Sequence, residues 1–147
     1  MFDKFEVDGL DQLDDALTEL GEAVGLRVLR RAGREAMTGV ALSMAMGAGY
    51  DESSAEGDHM RDSIKITSKK LDSKHGGRNN ALAVRVGPNK KHSQKAIAQE
   101  YGTAKQAADP FMVPSLFNNR HHVVNTFKSN LAIGIENAIA KARAKNA

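Results

Sequence analysis

Leucines at positions 10, 13, 17 and 20 recur at intervals of three and four, the spacing that lines up one face of a helix. Asp8 stands where it can cap that helix, and Asp11 and further acids follow where the helix dipole favours them. Gly21 ends or kinks it. A longer helical pattern runs from about Glu22 to Met46, with Leu29, Ala32, Ala36 and Val40 on its inner face. Residues 47–60, GAGYDESSAEGDHM, carry glycine and acid without periodicity and read as a loop. The period then becomes alternating. In SIKITSKKL (63–71) Ile64 and Ile66 alternate with Lys65 and Thr67. In ALAVRVGP (81–88) Leu82, Val84 and Val86 point inward and Arg85 outward, so both segments read as half-buried strands. The polar DSKHGGRNN (72–80) joins them, and Gly87-Pro88 stops the second. Residues 92–101 fit a short helix or a strand.

Pro110 and Pro114 hold Asp109 and Val113 toward extended geometry. That predicts a stiff extended piece in which Phe111 is buried by packing rather than by strand pairing. Pro114 suits the first turn of a final helix, where its missing N–H costs nothing. Leu116, Val123, Val124, Phe127, Leu131, Ile135, Ala138 and Ala142 keep a helical repeat to the end, with Lys141, Arg143 and Lys145 near the C-terminal dipole. The expected fold is α+β: a small antiparallel sheet flanked by N-terminal helices and a long C-terminal helix. One domain, 1–147, would hold helices over about 9–46, the loop 47–60, strands and loops over 61–113 and the C-terminal helix over 114–145.

A chain of 147 residues suits one domain with its own core. Its 41% hydrophobic and 27% charged residues are those of an ordinary globular protein. No run approaches a membrane span, and MFDKFEVDGLDQLDD is too acidic for a signal peptide. The absence of cysteine excludes disulfide and thiolate chemistry and fits synthesis in a reducing cytosol. Charge changes the picture more. Residues 1–22 carry eight acids and one lysine, a balance of −7, while the remainder carries +10 within the net +3. Such halves predict an acidic–basic contact, within the chain or with a neighbouring copy, or two solvated faces. Asp11, Asp14 and Asp15 are the candidate subunit-interface residues on the acidic side.

Candidate chemistry is sparse. His121 and His122 are adjacent, so on a helix they point about 100° apart and chelate one metal poorly. His59, His75 and His92 lie in polar segments without partners at ligand spacing. Ser53, Ser54, Ser63 and Thr103 have no motif placing a base beside them. Gly47-Ala48-Gly49 and Gly76-Gly77 lack a phosphate loop's context. Asp51, Glu52, Glu56 and Asp58 do not follow calcium-loop spacing. No catalytic site, metal or cofactor is expected. Arg27, Arg30, Arg31 and Arg34 form a basic stripe at helical spacing, a candidate contact for DNA or for another subunit. Lys69, Lys70, Lys74, Arg78, Lys90, Lys91 and Lys95 add basic loops. Aromatic residues are only 5% and are not interleaved with them, which argues against a base-stacking platform.

The order of segments resembles the tail-completion, or head–tail joining, family of tailed bacteriophages. The chain runs VDGLDQL, VLRRAGREA, GDHMRDSIKI, VRVGP, QEYGT and DPFMVPSLF. The family pattern is roughly G-L-x-x-L, T-G-x-L-x-x-S-I, G-P, E-[FY]-G-T and R-P-F-[LM]-x-P-A-[LF]. The resemblance covers nearly the whole chain. Its most specific parts are Glu100, Tyr101, Gly102 and Thr103, and Pro110, Phe111 and Pro114 with Met112 and Val113 between. Gly57, Arg61, Ser63 and Ile64 come next, then Gly87 and Pro88. Glu56, Asp109 and Ser115 depart from the usual residues. The resemblance implies a non-enzymatic virion protein of the phage neck or tail terminus, made in the host cytoplasm. It implies homo-oligomeric rings, usually of six subunits, around the DNA channel between head connector and tail tube, without membrane contact. Non-specific contact with the genomic DNA would then be possible. A small basic DNA-binding protein is the competing expectation.

Overall fold

The computed structural model describes residues 11–50, 59–71 and 82–146. Side chains at 11–14 and 16 lie outside that description, as do Asp8, Leu10, Gly57, positions 51–58 of the expected loop and the 72–80 connection. Helix α1 (Asp11–Leu20) leads through Gly21 into α2 (Glu22–Ala36) and then α3 (Thr38–Gly47). A 3-10 turn (Met60–Ser63) precedes strand β1 (Lys65–Lys70), which pairs with β2 (Leu82–Gly87). A second 3-10 turn (Lys90–His92) opens α4 (Ser93–Tyr101), which settles the 92–101 segment as helix. The last element, α5 (Met112–Lys145), has 34 residues, about 51 Å at the usual helical rise.

The strands form a two-stranded antiparallel sheet in the register Lys65↔Gly87 through Lys70↔Leu82. Ile66 faces Val86 and Ser68 faces Val84 on the inner side, while Lys65, Thr67, Lys69 and Arg85 lie outside. The fold is therefore α+β, helix-rich, with a small hairpin and a long C-terminal helix. Among the described residues no helix is long and apolar enough to cross a membrane.

Two apolar clusters hold these elements, and α5 runs through both. Val40, Met44, Ala48, Met60, Ala96 and Phe111 form the first, with Met37, Ile64, Val86, Met112 and Val123 packed against it. Ala32, Leu131 and Ile135 form the second, with Leu17, Leu20, Val28, Leu29, Phe127 and Ile139 around them. Each large side chain so buried contributes about 2 kcal/mol. Between the clusters α2 approaches the hairpin closely. A β-carbon at Gly33 would lie 2.9 Å from Val84 Cγ2, so only glycine lets helix and strand meet there.

Two expectations need correction. The helix expected over 22–46 is two helices, broken at Met37 (φ −86°, ψ −1°). The Thr38 hydroxyl leans back to 3.5 Å from the Arg34 carbonyl, a competition with the backbone ladder that bends helices. The stiff extended piece between the prolines is also shorter than expected. Phe111 flanks the helix (φ −132°, ψ −25°) and α5 begins at Met112, so Val113 is helical although it precedes Pro114. The reason lies in α4.

Candidate functional site

The first four N–H groups of an α-helix have no partner within it. In α5 these belong to Phe111, Met112, Val113 and residue 114, which is proline and has none. Glu100, at the C-terminal end of α4, accepts the other three: Phe111 and Met112 donate to Oε2 at 2.8 Å each, and Val113 donates to Oε1 at 3.0 Å. One carboxylate and one proline thus complete the helix end. The negative charge also sits where the helix dipole favours it. Glu100 is only 4% exposed. Burial by itself would raise its carboxyl's pKa, but the backbone donors Met112, Val113 and Phe111 outweigh that and hold it below the usual glutamate value of 4.5.

The neighbouring side chain binds the other way. Gln99 donates from Nε2 to the Gly47 carbonyl at 2.8 Å and accepts from the Gly49 N–H on Oε1 at 2.8 Å. Its own carbonyl accepts the Asp109 N–H at 2.8 Å. Two consecutive residues of α4 therefore clip the end of α3 to the beginning of α5. Gly102 turns the chain just beyond (φ 78°), and a β-carbon there would lie 2.8 Å from the Ala108 nitrogen. Thr103 pairs with Gln106 to close the loop, its N–H donating to the Gln106 carbonyl at 2.8 Å. Phe111 ends up buried in the first cluster, and the Ser115 hydroxyl donates to the Phe111 carbonyl.

The other motif residues divide. The Ser63 hydroxyl donates to the Met60 carbonyl at 2.8 Å and accepts the Asn89 N–H at 3.2 Å, tying the first 3-10 turn to the segment after Gly87 and Pro88. Ile64 packs on the first cluster. The Arg61 guanidinium lies 3.6 Å over the Tyr50 ring, and the His59 ring packs against the same tyrosine at a 44° tilt with centroids 4.2 Å apart. Tyr101 does not join the clip. It is 73% exposed, as Ile97 is exposed one turn earlier. Gln99 and the Tyr50–His59–Arg61 contact escaped sequence reasoning, because their partners are remote or unremarkable in type. His92 is not a polar-loop residue. It is buried, and its backbone N–H donates to Asn89 Oδ1 at 3.1 Å.

Arg27, Arg30, Arg31 and Arg34 all lie exposed on α2. Asp15 is exposed on α1, whereas the side chains of Asp11 and Asp14 are outside the described residues. His121 and His122 are exposed on α5, and among the described residues no group of three or more His, Cys, Asp or Glu is placed to hold a metal ion. An open cleft of about 380 Å³ between α3 and the start of α5 is lined by groups such as Ser43, Pro110, Asn118 and Asn119. Asn119 bridges it by donating to Ser43 Oγ at 3.2 Å and the Ser115 carbonyl at 2.7 Å. What these residues build is a brace that sets the direction of a long helix. Compared with known proteins, the chain matches no protein-family model, no curated protein and no solved structure.

Proposed function

We propose that this chain is a non-enzymatic structural subunit of a tailed-phage neck or tail terminus, building a homo-oligomeric ring between head connector and tail tube. One observation carries the reading. The two most specific segments of the family resemblance, Glu100–Thr103 and Pro110–Pro114, act on each other: the carboxylate of the first completes the helix that the second opens. A pattern in which two separated motifs serve one joint is what a family-wide structural requirement would leave. The exposed Leu42, Met46, Tyr101 and Phe117 supply apolar surface for neighbouring subunits. The purified chain is imaged in negative stain and weighed by native mass spectrometry. Closed rings with a central channel wide enough for duplex DNA are expected, and a monomer at every concentration and salt would sink the reading.

The second reading, a small DNA-binding protein, is favoured by the exposed arginines of α2. It predicts retardation of duplex DNA by the monomer with steep salt dependence.

A further inference from the structure

Three of the four arginines of α2, Arg27, Arg30 and Arg34, make no ion pair among the described residues. The fourth, Arg31, lies 3.1 Å from Glu35 of the same helix. Successive helical residues turn by about 100°, so the stripe from Arg27 to Arg34 spans roughly 100° and lies opposite Gly25. Gly25 is where α1 packs, since a β-carbon there would touch Leu17 at 3.4 Å. The flanks of α2 are taken too, Val28 meeting Gly134 of α5 and Gly33 meeting Val84 of β2. The arginines therefore face away from Leu17, Gly134 and Val84, the described neighbours of α2 at these positions.

Helix α1 shows the converse arrangement. Asp15 and Glu19 are exposed and make no ion pair among the described residues. Each stands about 160° around the helix from Leu17, the residue in contact with α2. Asp15 and Glu19 thus point out from the opposite side of the α1–α2 pair to the arginines of α2, and these two acids do not meet that stripe within one chain. Glu22, next along, is already engaged by Lys70 at 2.9 Å. The spacings match: Asp15–Glu19, Arg27–Arg31 and Arg30–Arg34 are each four residues apart, about 6 Å along a helix. Two helices laid side by side would set the two carboxylates against two of the guanidinium forks, the pairing that arginine geometry favours.

We propose that the arginine stripe of α2 is the docking surface for the acidic face of α1 on a second copy of this chain. The inference rests on the ring-subunit reading and names the faces by which neighbouring subunits meet. Because the two faces point apart, each copy presents one and receives the other, a head-to-tail contact of the kind that closes rings. Charge sets the register and excludes like-to-like pairing, and raised salt weakens it.

The test uses two variants of the full chain, one with R27E, R30E and R34E and one with D15K and E19K. Each is checked for helical content and followed by sedimentation velocity alone and mixed. Either variant alone should self-associate at least about tenfold more weakly than wild type, since like charges then face each other. Mixing them should restore assembly, because the acidic α1 of the first meets the arginines of the second and the reversed pair also matches. Should either variant lose helical signal, R27Q, R30Q and R34Q replace the reversals and must still weaken assembly. Assembly of the variants as strong as wild type, or no recovery on mixing folded proteins, overturns the contact and leaves the ring reading standing. A wild-type chain that never assembles defeats the ring reading, and the contact with it. Duplex DNA of about 30 base pairs is the counter-probe. Loss of its binding in the arginine variant, with assembly untouched, makes the stripe a nucleic-acid contact and overturns the proposal.

Discussion

Three backbone N–H groups at the start of α5 converge on the carboxylate of Glu100. Glu100→Ala would leave the buried Phe111 donor and the part-buried Met112 and Val113 donors without that acceptor, at a cost of about 3 kcal/mol. Glu100→Gln keeps one acceptor oxygen without the charge and should cost roughly half as much. Urea unfolding followed by circular dichroism reads both. The pH dependence has a definite sign. The folded carboxyl titrates below the usual 4.5, so its contribution is complete above that value and disappears as pH falls through the folded one. The stability gap between wild type and Glu100→Gln should accordingly be constant near neutrality and close in acid. A gap that does not narrow at all as pH falls below the usual 4.5 would mean the carboxylate is not what the helix end requires.

At the scale of elements, a close joint lies between α2 and β2. Gly33→Ala adds helix propensity worth up to about 1 kcal/mol, yet its β-carbon would sit 2.9 Å from Val84 Cγ2. Val84 is β-branched and stiff, so overpacking should win and the variant should lose about 1–2 kcal/mol net. Val84→Ala removes the obstructing methyl, and in the double variant Gly33→Ala should become neutral or stabilising. Additive losses in that cycle would show that the two residues do not press on each other. The same joint makes the hairpin's existence intelligible, because two strands alone are marginal and need a helix behind them. Alternation in the sequence identified the inner face of each strand. That α2 would cover it, through a glycine, was not legible.

Over the whole molecule, the unused surface is as informative as the core. Leu42 and Met46 are 64% and 80% exposed and lie one turn apart on α3. Exposed side chains contribute little to a monomer, so Leu42→Ser with Met46→Ser should change the unfolding free energy by no more than about 0.5 kcal/mol. If the chain builds rings, the same double change removes apolar contact area and should weaken assembly measured by sedimentation. Unchanged assembly would move the subunit contact away from α3. A large loss of monomer stability would instead place these side chains in the fold. The −7 balance of residues 1–22 belongs to this scale too, because whether it meets its own chain or another depends on where α1 points.

What the sequence determined by itself is whatever depends on near neighbours along the chain. Leu17 and Leu20, Ala32 and Ala36, Ile66, Val84 and Val86 fall on inner faces by period alone, since an element's apolar side must turn from water whatever covers it. The order of helices, hairpin and long final helix followed from where the period changes. Tertiary structure decided the joints. Glu100 completes a helix that starts more than ten residues on, and Gln99 reaches back some fifty residues to Gly47 and Gly49. Neither leaves a periodic trace, because a side chain's hydrogen-bonding capacity says nothing about which distant backbone will come within reach. The same holds for the bend at Met37 and for the direction of the arginine stripe. Period tells that a face is polar, and only the packing of α1 against Gly25 turns that face away from Asp15 and Glu19 of its own chain.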